Sequence, residues 1–170
     1  MAAKKWATKV FVNSKKKLTK EQALQKLRQY CGYQERCHYE AEQKLWLLGV
    51  GKLYHDEIIS NLIESDYLNE ERFAIQFAGG KFRMNEWGRK KIYYALKEKK
   101  VSEFNIKKAI SEIDDTIYRS KLQQLAAEKY ALLKDEQYML RKKKTVDYLL
   151  QKGYEYELIS AALSTITEKK

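Results

Sequence analysis

Leu149-Leu150-Gln151-Lys152-Gly153-Tyr154-Glu155-Tyr156-Glu157-Leu158-Ile159-Ser160-Ala161-Ala162-Leu163 decides the fold, because its skeleton occurs three times. A leucine is followed four residues later by a Gly or a base, then by a polar stretch, then by a small apolar triplet. The other copies are Leu96…Lys100…Ile106-Ala109-Ile110 and Leu45…Gly49…Ile59-Leu62-Ile63. The two later copies share one spacing, and the first carries about four extra residues at Gly49-Val50-Gly51-Lys52. A recurrence near 50 residues marks a tandem array of helical units. Such arrays present long surfaces to extended partners and seldom enclose a catalytic pocket.

Working outward, the composition agrees. The 170 residues contain no proline and only 7 glycines, where an average chain would hold roughly eight prolines. Few breakers and 44% apolar residues point to an all-α fold with a core. The expected architecture is three tandem three-helix repeats in an elongated, curved array. Residues 19–66 form repeat 1, residues 67–114 repeat 2 and residues 115–167 repeat 3. Residues 1–18, with their lysines unopposed by acids, read as a disordered basic tail with a short extended piece near Lys9–Asn13.

Local signals place the helices. Thr19-Lys20-Glu21-Gln22 is a capping box that opens the first, and Gly32 should end it. A second fits Cys37–Leu48, with Gly49 at its end. A third starts at His55-Asp56, with Asp56 as cap. Asn69 caps the next, followed by Glu70 and Glu71 at the positive end of the dipole; Gly79-Gly80 should stop it. Further helices are expected over Trp87–Lys99, Ser102–Ile113, from Asp115, over Asp135–Gln151, and over Tyr156–Thr165.

Charge is uneven. The chain carries +11 overall, which makes polyanions or acidic protein surfaces plausible partners. Residues 35–71 hold nine acids and three bases, and residues 81–108 hold ten bases and three acids. The second repeat supplies Lys81, Arg83, Arg89, Lys90, Lys91, Lys97, Lys99 and Lys100. These either contact phosphates or acidic side chains, with Trp87 or Phe82 beside them, or form a solvated helix face. Arg89 and Lys90 stand at a helix start, which the dipole does not favour, so another interaction should hold them. Arg141-Lys142-Lys143-Lys144 goes right round a helix and cannot face one ligand. Thirteen tyrosines suit half-buried packing and raise the odds of an interface.

Enzyme signatures are missing. His38 and His55 have no nucleophile beside them, and there is no glycine-rich phosphate loop. Cys31, Cys37 and His38 have no standard metal spacing, so no catalytic residue, metal or cofactor is expected. Two cysteines read as buried thiols in a reducing cytosol. No apolar run nears the length of a membrane span, and the expected location is cytoplasmic.

Asp66-Tyr67-Leu68-Asn69-Glu70-Glu71-Arg72-Phe73-Ala74 resembles the central signature of the RecX family, commonly Gly-Tyr-Leu-Asp-Asp-x-Arg-Phe-Ala. Trp87-Gly88-Arg89-Lys90-Lys91-Ile92 with Leu96-Lys97-Glu98-Lys99-Lys100-Val101 is similar to its Gly-x-x-x-Ile…Leu-x-x-Lys-Gly-Ile stretch. Tyr148–Tyr154 resembles its late Leu-x-x-x-Gly-Phe element, and Ala23-Leu24…Leu27-Arg28 its opening helix. Asp66 and Lys100 stand where the family has Gly, Asn69 where it has Asp, and Cys37 where it has Ser. The resemblance implies three three-helix repeats, no catalysis, and binding to the RecA recombinase filament on single-stranded DNA, with restraint of its ATPase and strand exchange. Arg72, Lys81, Arg83, Arg89, Lys90, Lys91, Lys97, Lys99 and Lys100 are the expected RecA or DNA contacts, the acidic first repeat is expected to meet a basic patch on a neighbouring subunit, and the protein itself is expected to be monomeric. A stand-alone helical nucleic-acid-binding module is the rival.

Overall fold

The computed structural model describes residues 18–168, so the expected basic tail lies outside the described residues but for Leu18. Among these there are nine α-helices: α1 Lys20–Tyr33, α2 His38–Leu47, α3 His55–Glu64, α4 Glu70–Asn85, α5 Arg89–Glu98, α6 Glu103–Ser111, α7 Asp115–Leu132, α8 Tyr138–Lys152 and α9 Tyr156–Glu168. They pack in threes, α1–α3, α4–α6 and α7–α9. The leading helix of each three starts at a side-chain cap. Thr19 accepts from the Gln22 N–H, Asn69 from the Arg72 N–H and Asp114 from the Ile117 N–H. Each cap satisfies a donor the helix itself leaves open.

The threefold pattern has a physical meaning. Leu45, Leu96 and Leu149 are fully buried, one in each second helix. Four residues later, Gly49, Lys100 and Gly153 all have left-handed φ, at 70°, 58° and 92°. This single residue turns the chain from the second helix to the third. Lys100 therefore adopts the conformation that glycine adopts more easily, and so does Asp66, at φ 55°. Ile106 and Ile159 are the fourth residues of α6 and α9, and both are buried. In α3 the fourth residue is Ile58 (buried), while Ile59 is half-buried. The register of the first copy is thus one residue earlier than the sequence suggests. A short 3-10 turn, Lys52–Tyr54, takes up three extra residues.

Several expected boundaries move. Gly79-Gly80 does not stop α4, which runs on to Asn85 and closes on Glu86 in left-handed φ. Gly32 lies within α1. α3 begins at His55 after the 3-10 turn, so Asp56 is in its first turn rather than at its cap. α8 begins at Tyr138, three residues after Asp135, because residues 133–137 form two tight turns.

The core divides in two. Ala23, Leu27, Cys31, Ala41, Leu45, Val50, Ile58, Leu62 and Leu68 form the core of repeat 1. Repeats 2 and 3 share one larger core, from Phe73 and Phe82 through Leu96, Ile106, Tyr118 and Leu125 to Leu149, Tyr154 and Leu163. Cys37, at the start of α2, is fully buried in that second core.

The two junctions differ in kind. Between repeats 2 and 3 the C-terminal end of α8 meets the N-terminal end of α5. The Gly88 N–H donates to the Lys152 carbonyl at 2.8 Å, and the Lys90 N–H to the Gly153 carbonyl at 3.1 Å. Open donors of one helix thus satisfy open acceptors of another, and the positive end of α5 meets the negative end of α8. Gly88 and Gly153 permit the approach: a Cβ on Gly88 would overlap the Gly153 carbonyl, and one on Gly153 would overlap Lys91. Between repeats 1 and 2, ion pairs surround the apolar contact that Cys37 and Tyr39 make with the second core. Glu40 pairs with Lys99 at 2.6 Å, Glu35 with Arg72 at 2.6 Å, and His38 lies 3.7 Å from Glu70.

Candidate functional site

The nine basic residues expected to make contacts fall into three groups. Arg72, Arg89 and Lys99 are engaged within the protein. Arg72 donates to Glu35, to both carboxylate oxygens of Asp66 and to the Asp66 carbonyl. It ties the end of repeat 1 to α4. Arg89 donates to Asp115 at 3.0 Å and to the Ile113 carbonyl at 2.9 Å, and its guanidinium lies 4.2 Å from the Tyr118 ring centre. That set of contacts is what places a base at the start of α5. Lys99 is held by Glu40.

Lys81, Lys91 and Lys100 pack on aromatic rings. The ammonium groups of Lys81 and Lys91 lie 4.9 and 4.8 Å from the Trp87 ring centre. Lys91 also donates to the Gln151 carbonyl. Lys100 sits 4.7 Å from the Tyr39 ring centre, across the repeat 1–2 junction. Such contacts hold the rings and lysines together at about 0.5–1 kcal/mol each where exposed.

Arg83, Lys90 and Lys97 are the outward set, Lys97 with its ammonium 5.8 Å from the Tyr93 ring centre. All three are exposed and make no ion pair among the described residues. Lys90 and Lys97 are seven residues apart on α5, two turns along one face. Tyr94, four residues after Lys90, lies between them and is 62% exposed. Lys90 and Tyr94 of this stripe line an open groove of about 460 Å³ between α5 and α8, together with Trp87, Glu98, Leu150 and Gln151. Arg83 lies elsewhere, at a smaller cavity of about 290 Å³ between α4, α6 and the start of α7. The sequence did not single out Tyr94, although the i, i+4, i+7 spacing of Lys90, Tyr94 and Lys97 was its signal.

The acidity of residues 35–71 is largely used inside the chain. Glu35 and Glu40 bind repeat 2, and Asp66 binds Arg72. Glu70 accepts from the Ser102 N–H and the Asn105 amide; burial pushes its carboxyl up, but these donors and nearby His38 outweigh that and hold it below the usual range. Repeats 2 and 3 share a second network. The Tyr118 hydroxyl accepts from the Arg89 N–H and donates to Glu155 at 2.7 Å, and burial raises its pKa. No helix among the described residues is long and apolar enough to cross a membrane.

The family model for the second three-helix domain of RecX matches residues 69–110, α4 to α6, and that for the third three-helix domain of RecX matches residues 118–163, α7 to α9. The chain belongs to the RecX family. The RecX regulatory protein of Clostridium perfringens is 32% identical over 139 residues, covering 78% of this chain and 64% of that protein. The RecX of Bacillus cytotoxicus is 26% identical over 141 residues, 83% of this chain and 52% of that one. The chain therefore spans about half to two thirds of the length of these relatives. The crystal structure of RecX from Lactobacillus salivarius has the same fold, with a TM-score of 0.80 at 24% identity over 87% of this chain and 96% of that one. The RecX match covers both the α5–α8 groove and the junction glycines.

Proposed function

We propose that this chain is a non-enzymatic regulator that binds the RecA recombinase filament on single-stranded DNA and restrains its ATPase and strand exchange. The observation that carries this reading is the outward Lys90–Tyr94–Lys97 stripe on the second helix of repeat 2, in a chain of the RecX family. Lysines two turns apart meet a phosphate row or an acidic protein ridge, and the ring between them adds apolar contact area. The groove beside them accepts an extended partner without enclosing it. Arg72, Arg89 and Lys99 support the site by holding the repeats in place, while Arg83 is a separate contact.

The test is RecA ATPase on single-stranded DNA as the protein is added. Inhibition is expected for the natural chain, and a weakening of about tenfold for Lys90→Glu combined with Lys97→Glu, with helicity unchanged. Full inhibition by that double variant would remove the stripe from the interface.

A second reading, direct binding of bare single-stranded nucleic acid, is favoured by Tyr94 and Trp87 beside Lys90 and Lys91, since base–aromatic stacking next to cations is a common binding mode. Tight, steeply salt-dependent binding to bare DNA with no effect on RecA ATPase would select it.

A further inference from the structure

Repeat 3 carries an extra piece that the other repeats lack. The first buried residue of α2 is Ala41 and of α5 is Ile92, each the fourth residue of its helix. The equivalent in α8 is Thr145, the eighth. Residues 138–141 are thus one additional helical turn, raised about 6 Å beyond its counterparts. The turn is built firmly from inside. Arg141 donates to the Tyr130 carbonyl at 2.6 Å and stacks on that ring at 3.6 Å; Thr145 donates to the Arg141 carbonyl; Lys144 pairs with Glu136. Two of the four consecutive bases therefore serve the fold.

The outside of the same turn is apolar and uncovered. Tyr138 is 53% exposed, Met139 69%, and Leu132, at the facing end of α7, 79%. Around them Lys134, Lys142 and Lys143 are exposed and without ion pairs among the described residues; Asp135 is the single unpaired acid in the turn. A rigid apolar knuckle with a basic rim is preorganised for a cleft with an apolar floor and a carboxylate rim.

We infer that the α7–α8 tip is a second docking point, which inserts Tyr138 and Met139 into an acid-rimmed apolar cleft on the protein subunits of the filament. This rests on the filament reading above. Tyr138 is the one ring of the tip and is only half exposed, while the more exposed Leu132 and Met139 offer aliphatic surface that gains nothing from base stacking, so the tip fits an apolar cleft on protein better than nucleic acid. Contact at both α5 and the tip would span two places on the filament and gain from their linkage.

The experiment places an environment-sensitive fluorophore on Met139→Cys, and separately on Glu98→Cys beside the α5 stripe; the native thiols are buried. Shielding from acrylamide is then measured with RecA filament on single-stranded DNA. Both labels are expected to be shielded. Shielding at Glu98 alone overturns the tip contact and leaves the filament reading standing, whereas shielding at neither position removes both. Shielding of Met139 by bare DNA, or by raising the concentration of the chain alone, assigns the tip to another occupant and overturns the proposal. As a second arm, Tyr138→Ser with Met139→Ser, both surface positions, should weaken filament binding about tenfold; unchanged binding overturns it.

Discussion

Glycines in this chain separate into those that the fold needs and those it does not. Gly153 has left-handed φ and no room for a side chain against Lys91. Gly153→Ala should therefore cost several kcal/mol, roughly 3 or more, or part repeats 2 and 3 altogether. Gly80 lies inside α4 with nothing within 4 Å of a Cβ, so Gly80→Ala should stabilise by about 1 kcal/mol. Urea unfolding of the two variants checks both signs, and a loss of stability in Gly80→Ala would contradict the second. Much of this was legible in the sequence: the turn after each second helix shows as Gly49, Lys100 and Gly153 at a fixed distance from a leucine. What was not legible is which basic side chain points outward. Arg72 and Arg89 look like ligand-binding bases in one dimension; only folding brings Glu35 and Asp115 to them.

At the level of elements, α8 is joined to α5 by backbone hydrogen bonds, end to end. Glu86 closes α4 beside it and pairs with Lys152 at 2.8 Å. The hydrogen bond from Lys152 holds the Glu86 carboxyl below its usual range, with Lys121 adding to it. A carboxylate with a lowered folded-state pKa contributes stability that is present above the unfolded value, about 4.3. That contribution is lost as pH falls through the folded value. The acid limb of a stability–pH curve, from about pH 5 downward, should therefore be shallower in Glu86→Gln than in the natural chain. A superimposable acid limb would show that the pair does not matter. The helix boundaries missed in the sequence have related causes. Gly79-Gly80 fails to end α4 because Ala78 and Phe82, on either side, are both buried and carry the helix across. The extra turn of α8 could not be read because Tyr138, Met139 and Leu140 look like core residues until the packing shows that all three are exposed.

Over the whole molecule, one apolar core joins repeats 2 and 3, while ion pairs hold repeat 1 to them around the smaller apolar contact of Cys37 and Tyr39. Partly exposed ion pairs weaken as salt shortens the screening length from about 10 Å at 0.1 M to about 3 Å at 1 M. Apolar burial does not weaken in that way. Calorimetry should resolve repeat 1 melting below repeats 2 and 3, with sodium chloride lowering the first transition and sparing the second. A single transition that ignores salt would mean that the junction is as strong as the cores. The three-repeat plan was readable from periodicity, because each copy keeps its own buried leucine. The unequal joints were not, since charge totals for residues 35–71 and 81–108 do not reveal that these segments bind each other.

The two cysteines turn this division into a clock. Cys31 lies in the core of repeat 1, where burial pushes its thiol up to about 11. Cys37 belongs to the same repeat by sequence but is seated in the neighbouring core, and burial raises its thiol as well. A disulfide reagent is expected to reach Cys37 when repeat 1 parts from the second core without unfolding, and Cys31 only when repeat 1 itself unfolds. The ratio of the two reaction rates therefore reports how often the molecule bends against how often it melts, with no label added.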